Sequence, residues 1–494
     1  MKNITTYQLT CLLLLAFAAF TVSCSDEFLE KNPKAELTSE SFWQTEEQAV
    51  QAVNATYSHL RNWGVHVFSY LGVTDIASDD ATKGSVPGDS DFLNEVNNFT
   101  HDANNTAIIG LWGAYYQGIF RANQVIVNVP EMDIDPDLRE RLVAEARFLR
   151  GYFYFFLTRV YGDLPLVAHP LDPDEYTQER VPREQIFDFI IADFEFAAAH
   201  LPEKSGYPAA DLGRVTRGAA HGFLARLYLF QNDFENVYAH AMEVINSGEY
   251  SLHPDYLEIF REAGEHSSES VFEVSKVALE QGGGGSQFNQ VQGIRGDPNR
   301  GWGFNSPSDD LIAAYEEGDP RLEATVIFNG DTLESGEIVR AVPGMGPNAR
   351  FNRKAHLPEM PPIGTQNSGA NIRLMRYADI LLMAAEAANE LGNSSEALTY
   401  LNMVRERARQ GDPDVLPDVT TTSQGELREA IWHERRVELA MEQQRYFDIV
   451  RQGRAQEIFA NLGINWMPNR HEIFPIPQAE IDISGGVLTQ NPGY

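Results

Sequence analysis

Between residues 41 and 63 the apolar side chains Phe42, Ala49, Val53, Tyr57 and Leu60 recur three, four or seven places apart. That stripe predicts an amphipathic helix with one face turned to a core. The same spacing returns over 111–129. Asp135-Pro136 then has the form of an N-cap with proline in the first turn, opening a helix through RLVAEARFLRGYFYFFLTRVYG that Gly162 should end. Further helices are predicted over 183–200, 216–230, 233–246, 377–391, 395–409, 424–442 and 446–451. Two segments, FLARLYLFQNDFENVYAHAMEVINSG and ILLMAAEAANELGNSSEALTYLNMVRERA, set two helical patterns around a short Gly/Asn/Asp turn and look like tetratricopeptide hairpins. In the second, Ala385, Leu391-Gly392, Ala397 and Leu401 put small residues where paired helices approach. Irregular sequence separates the pairs, so the hairpins form a distributed scaffold rather than a strict tandem array. The stretch 251–372 has little helical period and many turn residues, with short β-like pieces at 270–278 and 324–328. Loops of that length in a compact protein are usually functional. Within it, QGGGGS at 281–286 lacks the strand and helix that a phosphate cradle needs and reads as a flexible tip.

Composition narrows the function classes. With 494 residues, 43% of them hydrophobic and 22% charged, the chain can bury a large core. Seventy-one acidic against 38 basic residues give a formal charge of −33, which opposes binding to nucleic acid and to anionic lipid surfaces. The N-terminus reads Met1-Lys2, an apolar run from 9 to 20, then Thr21-Val22-Ser23-Cys24. This has the parts of a secretory signal peptide over 1–23 and is too short to span a bilayer comfortably. Of the two cysteines, Cys11 lies inside that segment, so Cys24 would be the only thiol of the mature chain and no internal disulfide is possible. A cysteine in that place looks like the acylated first residue of a bacterial lipoprotein, although Thr21 stands where leucine is usual; two or more acyl chains anchor stably where one is marginal.

No catalytic or metal constellation emerges. His433-Glu434 begins like a zincin helix, but Val437 stands where the second histidine must lie. Asp133, Asp135 and Asp137 imitate the start of a calcium loop, yet Leu138 replaces its glycine and Ala144 its bidentate glutamate. No G-x-S-x-G elbow or P-loop is present, and an acylated Cys24 could not serve as a nucleophile. Spacing along the chain does not exclude a pair of glycosidase carboxylates among so many acids. No cofactor and no metal are expected.

Several segments, in order from Cys24 to Tyr494, carry a family resemblance. They are CSDEFLEKNP, SDDATKGSVPGD, LWGAYYQGIFRANQVIVNVP, EARFLRGYFYFFLTRVYGDLPLV, GWGFNSPSDDLIAAYEEGDPRL, RLMRYADILLMAAEAANELGN, HERRVELAMEQQRYFDIVRQGRA and the ending HEIFPIPQAEID with LTQNPGY. Together they resemble the SusD/RagB family of outer-membrane lipoproteins of Bacteroidetes, and Ser25-Asp26-Glu27 is similar to the acidic signal that sends such lipoproteins to the cell surface. The resemblance implies a mainly α fold, a superhelix of four tetratricopeptide-like helix pairs with a large loop-rich region carrying short β pieces. It makes 24–494 a single unit, with the helical scaffold at about 41–250 and 373–494 and the ligand-side loops at about 251–372. It also implies a surface-exposed, lipid-anchored, non-enzymatic protein that captures a nutrient glycan for a SusC-like TonB-dependent transporter. Capture of peptides or another nutrient, and a tetratricopeptide adaptor for proteins, are the alternatives.

Sugar rings offer apolar C–H faces and a rim of hydroxyls, so a binding site wants exposed aromatic planes edged by polar groups. Trp302, in Gly301-Trp302-Gly303-Phe304-Asn305, has flanking glycines that leave its indole uncrowded; Phe304 and Asn305 follow it. Anchoring of that loop to the core is the competing reading. The second candidate loop is 78–92, where Asp79, Asp80 and Asp89 offer acceptors, Lys83 a cation and Phe92 an aromatic; an ordinary solvated loop with Asx-turns competes with it. The conspicuous arginines, Arg147, Arg150, Arg159, Arg435, Arg436 and Arg445, with Tyr152, Tyr154 and Asp448, are read as packing and internal ion pairs rather than ligand contacts.

Overall fold

A computed structural model describes residues 42–279, 284–358 and 368–494. Cys24, the signal segment and 281–283 of the glycine-rich tip lie outside the described residues. The first helix, α1 (Glu46–His59), begins on a capping box in which the Thr45 hydroxyl accepts from the Gln48 amide and the Gln48 side chain accepts from the Thr45 amide. It stops short of the predicted 63. Helix α2 (Thr106–Asn128) starts one turn before the predicted 111, where the Asn105 side chain accepts from the Ala107 amide. Helix α3 (Pro136–Tyr161) is capped by Asp135 and ends at Gly162, whose φ of +75° a side chain would resist.

Helices α4 (Arg183–His200), α5 (Arg217–Gln231), α6 (Phe234–Asn246), α7 (Tyr377–Glu390), α8 (Ser394–Ala408) and α9 (Gln424–Glu438) continue the succession. Each helix from α1 to α9 packs against the next, giving a mainly helical, tetratricopeptide-like array. Both predicted hairpins are present: α5 turns into α6 through Asn232, which has left-handed backbone, and α7 turns into α8 through Gly392 and the Asn393 cap. Helix α9 stops four residues before the predicted 442, because Met441 and Gln443 both take positive φ and turn the chain inward.

Helix α3 sits at the centre of the array. From Leu142 to Tyr161 nearly every residue is buried, including Phe148, Phe153, Phe155 and Phe156, as expected of a helix covered on all sides. Two of its arginines, Arg150 and Arg159, are internal, while Arg147 is half-buried. Arg150 forms a two-armed bond with Asp193, at 2.8 Å on each arm, and Arg159 lies over the rings of Phe447 and Phe155 at 4.1 and 4.3 Å.

The loop-rich part carries short antiparallel pairs. Strand β1 (Ala81–Gly84) pairs with β3 (Phe304–Pro307), β2 (Ser270–Val274) with β6 (Ile372–Arg376), and β4 (Val326–Phe328) with β5 (Arg350–Asn352). The β1–β3 pair brings together loops more than two hundred residues apart in sequence.

Candidate functional site

In the β1–β3 pair Ala81 faces Pro307 and Gly84 faces Phe304, so the two candidate loops lie side by side. Gly84 has φ of +69°, and a Cβ there would stand 2.4 Å from the Gly303 carbonyl oxygen; only glycine fits this approach. The Ser85 amide donates to that same carbonyl. On the far side the Trp302 amide donates to the Gln290 carbonyl at 2.9 Å and the Gly303 amide to the Gly293 carbonyl at 3.0 Å. The loop is therefore pinned by its backbone, while the indole of Trp302 forms part of a cleft wall.

That cleft holds about 610 Å³ and is lined chiefly by Trp63, Phe68, Trp302, Phe304, Asp89 and Arg295. Trp63 opens a short helical turn (Trp63–His66) that begins where the Asn62 side chain accepts from the Gly64 amide. Trp63 is 40% exposed, and its ring stacks on Phe68 at 5.3 Å and 28° and lies 6.1 Å from Trp302 at 56°. Phe68 meets Phe304 edge to face at 4.9 Å and Phe92 at 5.6 Å. Two partly exposed indoles thus rest on a layer of buried phenyl rings, an amphipathic surface suited to the apolar face of a sugar.

The charges of the cleft cancel. Arg295 Nη1 donates to the Asp89 carboxylate and to the Ser85 hydroxyl, which itself donates to Asp89 Oδ2 at 3.1 Å. Lys83 braces the same loop: its ammonium donates to the carbonyls of Val86 and Asp89 at 2.9 and 2.7 Å and lies 5.9 Å from the Phe304 ring centre. Burial pushes its pKa down.

Of the eight expected ligand residues, the cleft brings together Trp302, Phe304 and Asp89. Phe304 is buried and serves as backing. Lys83 and Phe92 stand behind the wall. Asp79, Asp80 and Asn305 require correction, for none of them faces the cleft. Asp79 receives both arms of Arg445 at 2.8 Å and Arg436 at 3.0 Å, and Asp80 receives Arg436 at 2.8 Å; both aspartates are buried. Burial raises the pKa of Asp79, but Arg445 and Arg436 outweigh it and hold the carboxyl below its usual range, whereas Asp80 is raised by burial despite Arg436. Asn305 is buried with φ of +54° and donates to Asp75 and Gln292, both at 2.9 Å. Asp75, on a π-helical turn (Gly72–Ile76), also accepts from the backbone and side chain of Gln443; burial pushes its pKa up to about 6. Sequence reasoning missed Trp63, Phe68 and Arg295; the Asn62-Trp63-Gly64 cap was the available signal for the first.

A second cleft, of about 640 Å³, lies between Asp255, Arg321 and Asp331. Its aromatics are Phe328 and a buried Tyr256 whose hydroxyl donates to the Glu438 carbonyl, so it lacks an exposed ring pair. Among the described residues, no helix is long and apolar enough to cross a membrane.

A tetratricopeptide-like helical scaffold presenting an aromatic cleft on paired loops defines the class of protein: a binding module built on stacked helix hairpins. Comparison with known proteins then gives the family. A family model described as the SusD family matches residues 268–494, and one described as starch-binding associating with outer membrane matches 27–229. SusD-like protein P2 of Formosa agariphila is 31% identical over 526 residues, covering 99% of either chain. Among solved structures, a laminarin binding SusD-like protein aligns with a TM-score of 0.79 and 28% identity, over 91% of this chain and 100% of that one. Surface glycan-binding protein A from Bacteroides thetaiotaomicron, in complex with laminarihexaose, aligns with a TM-score of 0.77 and 26% identity, over 90% and 99%. The chain belongs to the SusD/RagB family.

Proposed function

We propose that this protein captures an oligosaccharide in the Trp63–Trp302 cleft, without cleaving it, and hands it to a SusC-like TonB-dependent transporter. In this reading acyl chains on Cys24 hold it to the outer membrane with the cleft facing outward. The observation that carries the proposal is the pair of partly exposed indoles, backed by Phe68 and Phe304, over a cleft whose two charged side chains neutralise each other. Such a surface rewards stacking and hydrogen bonding more than ionic contact, which suits a neutral glycan. The likeness to a laminarin binding protein and to a laminarihexaose complex supports the same ligand class. The test is calorimetric titration of purified protein with a panel of oligosaccharides that includes laminarihexaose. Saturable binding of a panel member, with its reducing ends unchanged in number after long incubation, is expected. Failure of every glycan to bind, or release of new reducing ends, would overturn the proposal.

A further inference from the structure

Where helix α1 ends, a further cleft of about 560 Å³ opens between that helix, the 210–214 turn and the chain that leaves strand β2. It shares no lining residue with the Trp63–Trp302 cleft. Leu212, Val277 and Leu279 line it, and all three are large apolar side chains that the fold leaves exposed. Tyr57 adds a ring whose hydroxyl is already engaged, accepting from the Val215 amide at 3.0 Å. Most of the charges on the walls are matched. Asp211 accepts from Arg214 at 2.7 Å and from Arg141 at 3.2 Å, and Arg214 also donates to Glu145 at 2.8 Å. Glu273 accepts from the His266 amide at 2.8 Å and from Asn371 at 2.9 Å, with Arg373 3.8 Å away. Lys276 is not matched. Half-buried, it donates to two neutral oxygens, Ser286 Oγ at 3.2 Å and Asn289 Oδ1 at 3.1 Å, and among the described residues no carboxylate stands within ion-pair distance of it. We propose that this cleft binds a small amphipathic carboxylate, an organic acid whose apolar body lies between Leu212, Val277 and Leu279 and whose anionic group pairs with Lys276.

Both halves of the ligand follow from the walls. Three exposed apolar side chains on one concave surface hold area that gains by leaving water, and a cleft of this volume is large enough to enclose a small organic molecule. A sugar is a poorer match, because no exposed ring pair faces this cleft as Trp63 and Trp302 face the other. The anionic half is set by Lys276. An ammonium whose partners are neutral oxygens uses two of its three donors, and a charge-assisted bond to a carboxylate is roughly twice as strong as a neutral one. Burial and the like charge of Arg373 push its pKa down to about 7, with Glu265 opposing and Arg61, on the cleft wall, adding to the fall. That shift records a cation short of countercharge, which a carboxylate supplies. One negative charge is preferred to two, because Lys276 is a single uncompensated cation and the −33 of the chain penalises each further anionic group.

The test is calorimetric titration of the purified protein with three probes: octanoate, which has both halves of the ligand, octanamide, which lacks the charge, and acetate, which lacks the apolar body. Salt of about 0.15 M, where the Debye length is about 8 Å, screens the overall charge of the chain. Octanoate should bind at one equivalent, with octanamide and acetate weaker by about tenfold or more. Lys276→Met should weaken octanoate by a similar factor and leave oligosaccharide binding unchanged. Absence of an octanoate site, equal binding of octanamide, or full octanoate affinity in Lys276→Met overturns the proposal. Should that variant fold poorly, Val277→Glu decides. Its side chain is exposed, so the substitution spares the core while placing a carboxylate and a polar wall in the cleft; octanoate must then bind about tenfold more weakly, and unchanged affinity refutes the site.

Discussion

At the scale of single residues, Trp302 must serve two masters. Its indole is half-buried, packed beside Trp63 and against the main core cluster, yet it lines the cleft. Stacking on an aromatic ring is worth about 0.5–1.5 kcal/mol beyond area burial, so Trp302→Ala should weaken oligosaccharide binding roughly tenfold. Its partial exposure should keep the stability cost below the about 3–5 kcal/mol of a fully buried tryptophan. Titration and thermal unfolding of the same sample separate the two roles: full affinity with a lowered melting point would remove Trp302 from the binding surface. Asp79 and Asp80 show the opposite situation. Their acidity suggested acceptors for sugar hydroxyls, but they neutralise Arg436 and Arg445, and Asp80 and Arg436 are 356 positions apart. Nothing local in the sequence marks such a pairing, and the ion pairs engage both carboxylates away from the cleft.

At the scale of elements, the cleft depends on the β1–β3 pair, and that pair depends on Gly84. A β-carbon there would enter the Gly303 carbonyl at positive φ. Gly84→Ala should therefore cost about 1–3 kcal/mol in backbone strain and clash and should loosen the register that sets Trp302 beside Trp63. Urea unfolding with glycan titration tests this; unchanged stability and affinity would show that the pair tolerates a side chain. Most helices were legible because apolar period and capping residues agree, as at Asp135-Pro136 and Gly162. The end of α9 was not. Residues 439–442 read as helix formers, but tertiary contacts impose positive φ at Met441 and Gln443 so that Gln443 can donate to Asp75. Trp63 was hidden for a related reason: the spacing of α1 seemed to run through it, whereas the helix ends at His59 and the indole starts a new turn. The Trp302 loop was legible, because its glycines announce a backbone that side chains would not allow.

At the scale of the whole molecule, a buried ion-pair network ties α9 to the loop-rich region. Glu438 accepts from Arg376 at 2.9 Å and Arg321 at 3.1 Å, and also from Arg407. Burial by itself would raise its pKa, but Arg407, Arg376 and Arg321 prevail and hold it at about 2 against an ordinary 4.5. A depressed carboxyl contributes stability above its unfolded pKa and loses it as pH falls through the folded one. Glu438→Gln should cost about 3–5 kcal/mol at neutral pH by leaving buried arginines undercompensated, and the gap to the wild type should narrow as pH drops from about 4.5 towards 2. Unfolding curves at neutral and acid pH check the sign; a gap that widens in acid would contradict this account of the network. The proposed lipid anchor acts at the same scale. With a formal charge of −33, a headgroup surface would repel rather than recruit the protein, and none of the described helices can span a bilayer. In the reading proposed above, acyl chains on Cys24 would supply about 0.8 kcal/mol per buried methylene, enough for stable anchoring only when two or more chains insert. Cys24→Ala should therefore release the protein into the soluble fraction with its helical content and melting temperature unchanged. The measurement belongs in cells lacking the proposed partner transporter, so that docking on it cannot stand in for the lipid; variant protein retained in washed outer membranes there would refute anchoring at Cys24.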